Sequence, residues 1–480
     1  MVRLGNPRTK KYSLQEREHF VLDLENILKI LTFRETVTFI FPVLDVYAAE
    51  EHDYLKIELF RALPHVFKKL MKSPARPSDQ DALDLLTVNI FPLISQILMT
   101  SDDQVQNEGV LALHKISEEY LPRDEAVFLV FNVVQLLTKK ADQIDNAKIA
   151  VLMLVEKFAK EQGYFGEKEC IIFLRNSFDL FMEGAMFKIK KQMLPCLLAI
   201  AKHIAYADFQ AKVLTTYTLF STDSIWGVRR VAIELLPQVL SLIKETDTEQ
   251  LIAGLDFLKR SLTDESRWVK NQGFLQFGKA VHEVWLKAEK GCPNKQVLRD
   301  KIREVSLVFF NLQLVSGHLG ASVDEEFKSE KKLTLSSNAQ DELDKIKECW
   351  AFNFPCVLLV NGGKQFWNQK ARAVYKVLYK DILINVRRSL AASLVEICRL
   401  IGLSDDLDEN DDRTFMVEVA NQLLEDADEI KMNLLPHLCE FVALFPPDHQ
   451  KVLLNAMIRE RLVSAPSSSP LICSGVTLGE

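Results

Sequence analysis

Apolar positions recur at a helical period along almost the whole chain. Leu22, Leu24, Ile27, Leu28 and Leu31 fall on one helix face, as do Ile233, Leu236, Leu240 and Ile243. The Val-Ile-Thr alternation bounded by turn residues that marks a half-buried strand is missing. The chain is therefore expected to be all-α. A unit also repeats. Around Asp223 the order is Asp-Ser-Ile-Trp-Gly-Val-Arg-Arg-Val-Ala, around Asp264 Asp-Glu-Ser-Arg-Trp-Val-Lys, and around Asp381 Asp-Ile-Leu-Ile-Asn-Val-Arg-Arg. Val228, Val269 and Val386 each follow their Asp by five residues. Weaker copies of this marker are placed at Leu55, Val105, Asn146, Met186 and Ile430.

From Leu55 to Val269 the markers step by 50, 41, 40, 42 and 41 residues; Val269 to Val386 is 117, close to three more units if one is irregular, and Val386 to Ile430 is 44. A step near 41 matches HEAT or armadillo units of ~40–47 residues and not the ~33–34 of ankyrin or TPR units. The expected architecture is an all-α HEAT-repeat solenoid, an α-α superhelix with one helix pair per unit. The Asp sits between the two helices, where its carboxylate can accept from the first amides of the second helix. The Val faces inward, and stacking of neighbours builds the core that no single pair can close. Pro64, Pro195 and Pro237 fall inside expected second helices, where each removes an amide donor and favours a bend.

Three stretches break the rhythm. Ser316–Lys345 is polar and is expected to be a mobile insertion. Asp405–Asp412 holds six acids in eight residues and reads as a solvated loop between units. Ser464–Glu480, rich in Ser, Pro and Gly, is expected to be disordered. The domain scheme is then a flexible N-terminus (1–18), an N-terminal repeat block (19–286), an irregular repeat with the polar insertion (287–345), a C-terminal repeat block (346–463) and a tail (464–480). Asp448–Val463 can form one more first helix with no second helix after it, so the chain is expected to stop in mid-repeat.

Composition narrows the function classes. Gly 17 and Pro 16 in 480 residues are about 7% together, against ~12% on average, which suits long helices and disfavours sandwiches and barrels. A net charge of −7 gives no strong basic field for nucleic acid. No apolar run reaches the ~18 residues of a membrane span, and no secretory signal is expected from the charged N-terminal stretch. The cysteines at 170, 196, 292, 349, 356, 398, 439 and 473 form no CxxC pair and read as buried thiols of a reducing compartment, cytosolic or nuclear.

No catalytic constellation emerges. HExxH, GxSxG, GxGxxG and GxxxxGK[ST] are all absent; Gly362-Gly363-Lys364 reads as a turn, and His437 with Cys439 as core or edge residues without a second ligand pair. No enzyme activity, cofactor or metal is expected. The inter-helix turns instead concentrate Trp and basic side chains: Trp226 with Arg229 and Arg230, Trp268 with Arg267 and Lys270, and Arg387 with Arg388. One reading is a structural ladder in which Arg of one turn bonds Asp of the next, favoured for Arg229 and Arg387. The other is a partner-binding ridge, since Trp and Arg are enriched at binding hot spots.

The turns Ile225-Trp226-Gly227-Val228-Arg229-Arg230 and Asp264–Lys270 resemble the regulatory subunit 1 family of serine/threonine protein phosphatase 4. So does the later succession Phe352-Asn353-Phe354-Pro355, Gly363, Trp367, Tyr375, Leu378, Asp381 and Val386-Arg387-Arg388-Ser389-Leu390-Ala391-Ala392-Ser393, with Glu425–Leu444 after it. The resemblance is spread over roughly Asp208–Val463. It implies a non-catalytic HEAT-repeat subunit that binds a phosphatase 4-type catalytic subunit and directs it to phosphoprotein substrates. Two positions depart from the family pattern: Asn385 stands where a Trp is usual and Val395 where a His is usual. The competing expectations are a HEAT-repeat nuclear transport receptor and a coat or chromosome-associated adaptor.

Overall fold

A computed structural model describes residues 13–49, 52–71, 90–100, 102–141, 145–161, 164–315, 337–403 and 410–454. Among these residues every regular element is helical. The fold is the HEAT-repeat solenoid class, in which first and second helices alternate along the chain. Packing groups the chain into two compact units, Met1–Leu242 and Ile243–Glu480. This division falls within 19–286, which the sequence scheme kept together. In the first unit the second helices Asp53–Met71, Asp103–Tyr120, Asp145–Lys160, Phe187–Ala201 and Trp226–Leu242 pack on one another in that order. In the second unit Arg267–Glu289, Ser337–Asn361, Ile384–Leu400 and Asp428–Leu434 do the same.

The inward marker is the third residue of its second helix. Leu55, Val105, Val228, Val269, Val386 and Ile430 occupy it and are fully buried. Two expected markers are displaced. Ala147 and Ile189 hold the buried position in place of Asn146, which is half-buried, and Met186, which is exposed. Met186 is the residue before its helix, so the register there was read three positions early. Full burial of a Val, Leu or Ile is worth about 1.5–3 kcal/mol relative to exposure, which makes this position the recurrent anchor of the stack.

Between Val269 and Val386 the described residues contain one complete helix pair, Lys295–Val315 with Ser337–Asn361, and then the segments Lys364–Phe366, Trp367–Ala371 and Arg372–Leu378 that lead into Ile384–Leu400, where the spacing suggested three steps of the repeat. The first of these helices packs on both helices of the preceding pair. Of the expected insertion, 316–336 lie outside the described residues, and from Ser337 onward the chain is helical. At the N-terminus, Ser13 opens a helix: its hydroxyl accepts from the Glu16 amide at 3.3 Å while the Glu16 carboxylate accepts from the Ser13 amide at 2.7 Å. This reciprocal cap explains why helix starts inside the 1–18 segment expected to be flexible. Pro64, Pro195 and Pro237 lie inside second helices as expected, and Pro355 joins them. The tail 464–480 lies outside the described residues.

Asp412 corrects the expectation of a solvated acidic loop at its last residue. It is buried, and its Oδ1 accepts from the Trp367 indole Nε1 at 3.1 Å. Arg372 Nε lies 3.1 Å from the same oxygen, and Lys364 Nζ lies 3.6 Å from Oδ2. A buried carboxylate is tolerated where cations and donors surround it. The other acids of that stretch lie at the edge of, or outside, the described residues. Of the cysteines, 170, 196, 292 and 398 are buried as expected, 349 and 356 are half-buried and Cys439 is exposed, while Cys473 lies outside the described residues. Burial pushes the Cys170 and Cys356 thiols up to about 12 and that of Cys349 to about 11, so these three stay protonated at neutral pH.

The inter-helix Asp does more than cap a helix. Asp223 Oδ1 accepts from the Ile225 amide at 2.8 Å, Asp264 Oδ1 from the Ser266 amide at 2.8 Å and Asp381 Oδ1 from the Leu383 amide at 3.0 Å. Each bond reaches the residue just before the helix rather than its first amides, which closes the turn locally. The second carboxylate oxygen receives a lysine from the preceding second helix: Lys190 Nζ at 2.6 Å from Asp223 and Lys347 Nζ at 3.1 Å from Asp381. The arginine six residues on folds back to the Asp carbonyl, at 2.8 Å for Arg229 and in the same bond for Arg387. Arg387 then forms a two-pronged pair with Asp426 of the next repeat, Nε to Oδ2 at 2.6 Å and Nη2 to Oδ1 at 3.0 Å.

The hydrogen bond from Arg387 holds the Asp426 carboxyl below its usual range. A depressed carboxylate pKa contributes stability that is present above about pH 4 and is lost as pH falls through the folded value. We expect Arg387→Ala and Asp426→Ala to be coupled by about 1–2 kcal/mol in a double-mutant cycle, above the ~0.2–1 of exposed pairs. The coupling should vanish in acid below the folded pKa; denaturant unfolding at neutral and acid pH measures both. Asp412→Ala should cost about 3 kcal/mol at neutral pH, because it removes the buried carboxylate on which the Trp367 indole, Arg372 and Lys364 converge.

Candidate functional site

The inter-helix turns place their Trp and basic side chains differently from one another. Trp226 is the first residue of its helix and Trp268 the second of its own; both are 45% exposed. The turn geometry causes this. With the third helical residue fixed inward, the first and second point away from the core. Arg229 and Arg387 are half-buried and hold their own turns through the carbonyl bonds described above, Arg229 Nη1 also donating to Ser224 O at 3.0 Å. Arg230 and Arg388, one position further, are exposed.

In the first unit these residues meet a groove of ≈ 520 Å³ between the starts of two neighbouring second helices. Ile225, Trp226 and Arg230 line it from one helix, and Phe187 and Lys191 from the other. Lys191 Nζ lies 5.9 Å over the Phe187 ring. Neither Lys191 nor Arg230 has an ion-pair partner among the described residues. Sequence reasoning found Trp226 and Arg230 but not Phe187 or Lys191. The misread register at Met186 hid them: with Ile189 inward, Phe187 stands at the position of Trp226.

In the second unit Arg267 stacks on Trp268, with the guanidinium carbon 4.8 Å from the ring centre, and Lys270 is half-buried at the position of Arg229. At the turn of Asp381, Ile382 is 88% exposed and Ile384 is exposed beside it. Asn385, at the place where the resembling family has Trp, donates to Glu348 Oε1 at 2.7 Å. Arg388 Nη1 stands 4.0 Å from Glu429, at the limit of an ion pair. Val395 is buried.

The residues that carry the family resemblance divide between surface and interior, with Phe352, Trp226 and Trp268 among the exposed ones. Phe354, Trp367, Tyr375, Leu378, Val386, Leu390 and Ala391 are all buried, and Trp350, Phe354, Trp367, Tyr375 and Phe415 form one continuous aromatic cluster. Gly363 has φ +53°, and a Cβ there would sit 2.5 Å from the Leu400 carbonyl oxygen. Its role is a close backbone approach. Among the described residues no group of three His, Cys, Asp or Glu is placed to hold a metal, and no helix is long and apolar enough to cross a membrane.

Comparison with known proteins gives one sequence likeness and a broad structural one. The chain is similar to serine/threonine-protein phosphatase 4 regulatory subunit 1 of Homo sapiens, 33% identical over 132 residues, and equally to that of Mus musculus. The match covers 28% of this chain and 13% of the curated relatives' length. No protein-family model matches. Among solved structures the chain is similar to importin beta, with a TM-score of 0.55 at 11% identity over 98% of this chain and 60% of that one. It is also similar to Kap121p bound to Nup53p, with a TM-score of 0.51 at 13% identity over 96% of this chain and 46% of that one. At such low identity these structures show the HEAT-repeat fold alone.

Proposed function

We propose that the chain is a non-catalytic scaffold subunit that binds a phosphatase 4-type Ser/Thr phosphatase catalytic subunit and directs it to phosphoprotein substrates, in the cytoplasm or nucleus. The observation that carries this reading is the 33% identity over 132 residues with a protein named as a regulatory subunit of that phosphatase. The fold supports it: stacked helix pairs offer long rows of side chains and little enclosed chemistry. The exposed members of the turn set, Trp226, Arg230, Arg267, Trp268 and Arg388, are the residues proposed to meet the partner, with Lys270 half-exposed beside them. Arg229 and Arg387 contribute by fixing the turns that present them.

A transport receptor of the importin type and a coat or chromosome-associated adaptor are the readings that a failed capture would favour. Purified chain, immobilised, is expected to retain recombinant phosphatase 4 catalytic subunit and not Ran loaded with GTP. Replacing Arg230 and Arg388 by Ala should weaken that capture at least tenfold, since truncated hot spots cost ~2 kcal/mol or more. The melting temperature should stay nearly unchanged, as for other surface substitutions. Intact capture with a lowered melting temperature would assign both arginines to the scaffold. Retention of Ran without phosphatase would replace the proposal by the transport reading.

A further inference from the structure

We propose that the groove lined by Phe187, Lys191, Ile225, Trp226, Arg230 and Glu234 docks an extended acidic peptide segment that seats one large apolar side chain against Trp226. The inference stands on this groove alone and needs no particular enzyme partner.

Three features of the groove select that occupant. Its lining includes exposed apolar groups: Phe187, Ile225 and Trp226 are all substantially exposed, and they sit at the starts of two neighbouring second helices. Clustered exposed apolar groups rimmed by polar ones mark interaction sites. The volume, ≈ 520 Å³, lies within the ~300–1,000 Å³ of ordinary ligand pockets, so one large side chain and a little backbone fit and a folded domain does not.

Charge sets the flanks. Other lysines nearby are satisfied: Lys188 by Asp103, Lys190 by Asp223 and Lys160 by Glu156. Lys191 and Arg230 alone line the groove without a carboxylate partner among the described residues. Asp223, the nearest turn acid, already carries the Lys190 ammonium at 2.6 Å. Neither helix has an acidic side chain in its first turn, so no acid from those turns opposes an incoming carboxylate beside Lys191 and Arg230. In a chain of net charge −7, two unpaired cations beside exposed rings are complementary to acidic residues around an apolar one.

Glu234 gives the site a direction. It lies one helical turn beyond Arg230 and has no ion-pair partner among the described residues. An acidic flank is therefore favoured beside Lys191 and Arg230 and disfavoured at the Glu234 end. Single-stranded nucleic acid would also supply anions and flat rings, but an aliphatic Ile225 and an acidic Glu234 suit a peptide better.

The test is selection from a phage-displayed library of random short peptides on the full-length chain, counter-selected on a Lys191→Glu/Arg230→Glu variant. Recovered peptides are expected to carry one Leu, Ile, Met, Phe or Trp with acids to one side. In fluorescence anisotropy their affinity should drop at least tenfold with the charge-reversed variant and with Trp226→Ala, and should fall as salt rises. The charge-reversed variant should bind the same peptides with lysine in place of their acids, a gain that misfolding cannot produce. Glu234→Lys should allow acids on the second flank. No enrichment, enrichment without acids, unchanged binding to either variant, or tighter binding of an oligo(dT) probe would each overturn the proposal. The assay contains no phosphatase, so loss of catalytic-subunit capture with peptide binding intact would reject the scaffold reading alone.

Discussion

A single carboxylate between paired helices sets the register on which the rest depends. Asp223 and Asp381 each spend one oxygen on an amide of their own turn and the other on a lysine of the preceding second helix. The first bond fixes where the helix begins; the second fixes which neighbour it begins against. Once that start is fixed, the third helical residue must point inward, and the first two must point out. The buried row and the exposed row are thus two consequences of one turn. The pKa of Asp223 agrees with this: burial alone would raise it, and the lysine and amide bonds bring it below the usual range.

Sequence periodicity made the helix pairs legible because burial repeats faithfully. Val228, Val269 and Val386 were recognisable from the Asp five residues before each, and all three are fully buried. Without that Asp the spacing alone still locates Leu55, Val105 and Ile430, but not Ile189. At Met186 no turn Asp marks the start, and the choice of an apolar residue near the expected spacing selected the residue before the helix instead of Ile189. The groove was lost with it. One wall of it is invisible as long as Phe187 and Lys191 are read in the wrong register.

Long-range pairing explains the other corrections. Asp412 looks like one more acid in a solvated run, yet Trp367 and Arg372, some 40 residues earlier, bring it inside. Nothing local predicts this: an acid's burial is decided by the cations that reach it. The turn arginines show the same split. Arg229 and Arg387 hold turns and Arg230 and Arg388 face solvent, although each pair is two identical neighbours in sequence. One residue of helix rotation, about 100°, separates a structural role from a free one.

This separation bears on what similarity between such chains can mean. The interior residues quoted for the phosphatase-subunit resemblance, Trp367, Tyr375 and Phe354 among them, form an aromatic cluster whose packing any stack of this kind must preserve. Close packing makes those positions costly to change. The first and second residues of each second helix carry no such cost, and they already differ between turns of this chain: Trp226 and Gly227, Arg267 and Trp268, Ile384 and Asn385. A stack built this way keeps its core while its outward turn positions are free to change. On the proposed function, partner choice would be carried by those outward residues, Arg230 and Arg388 included, and would vary faster than the fold.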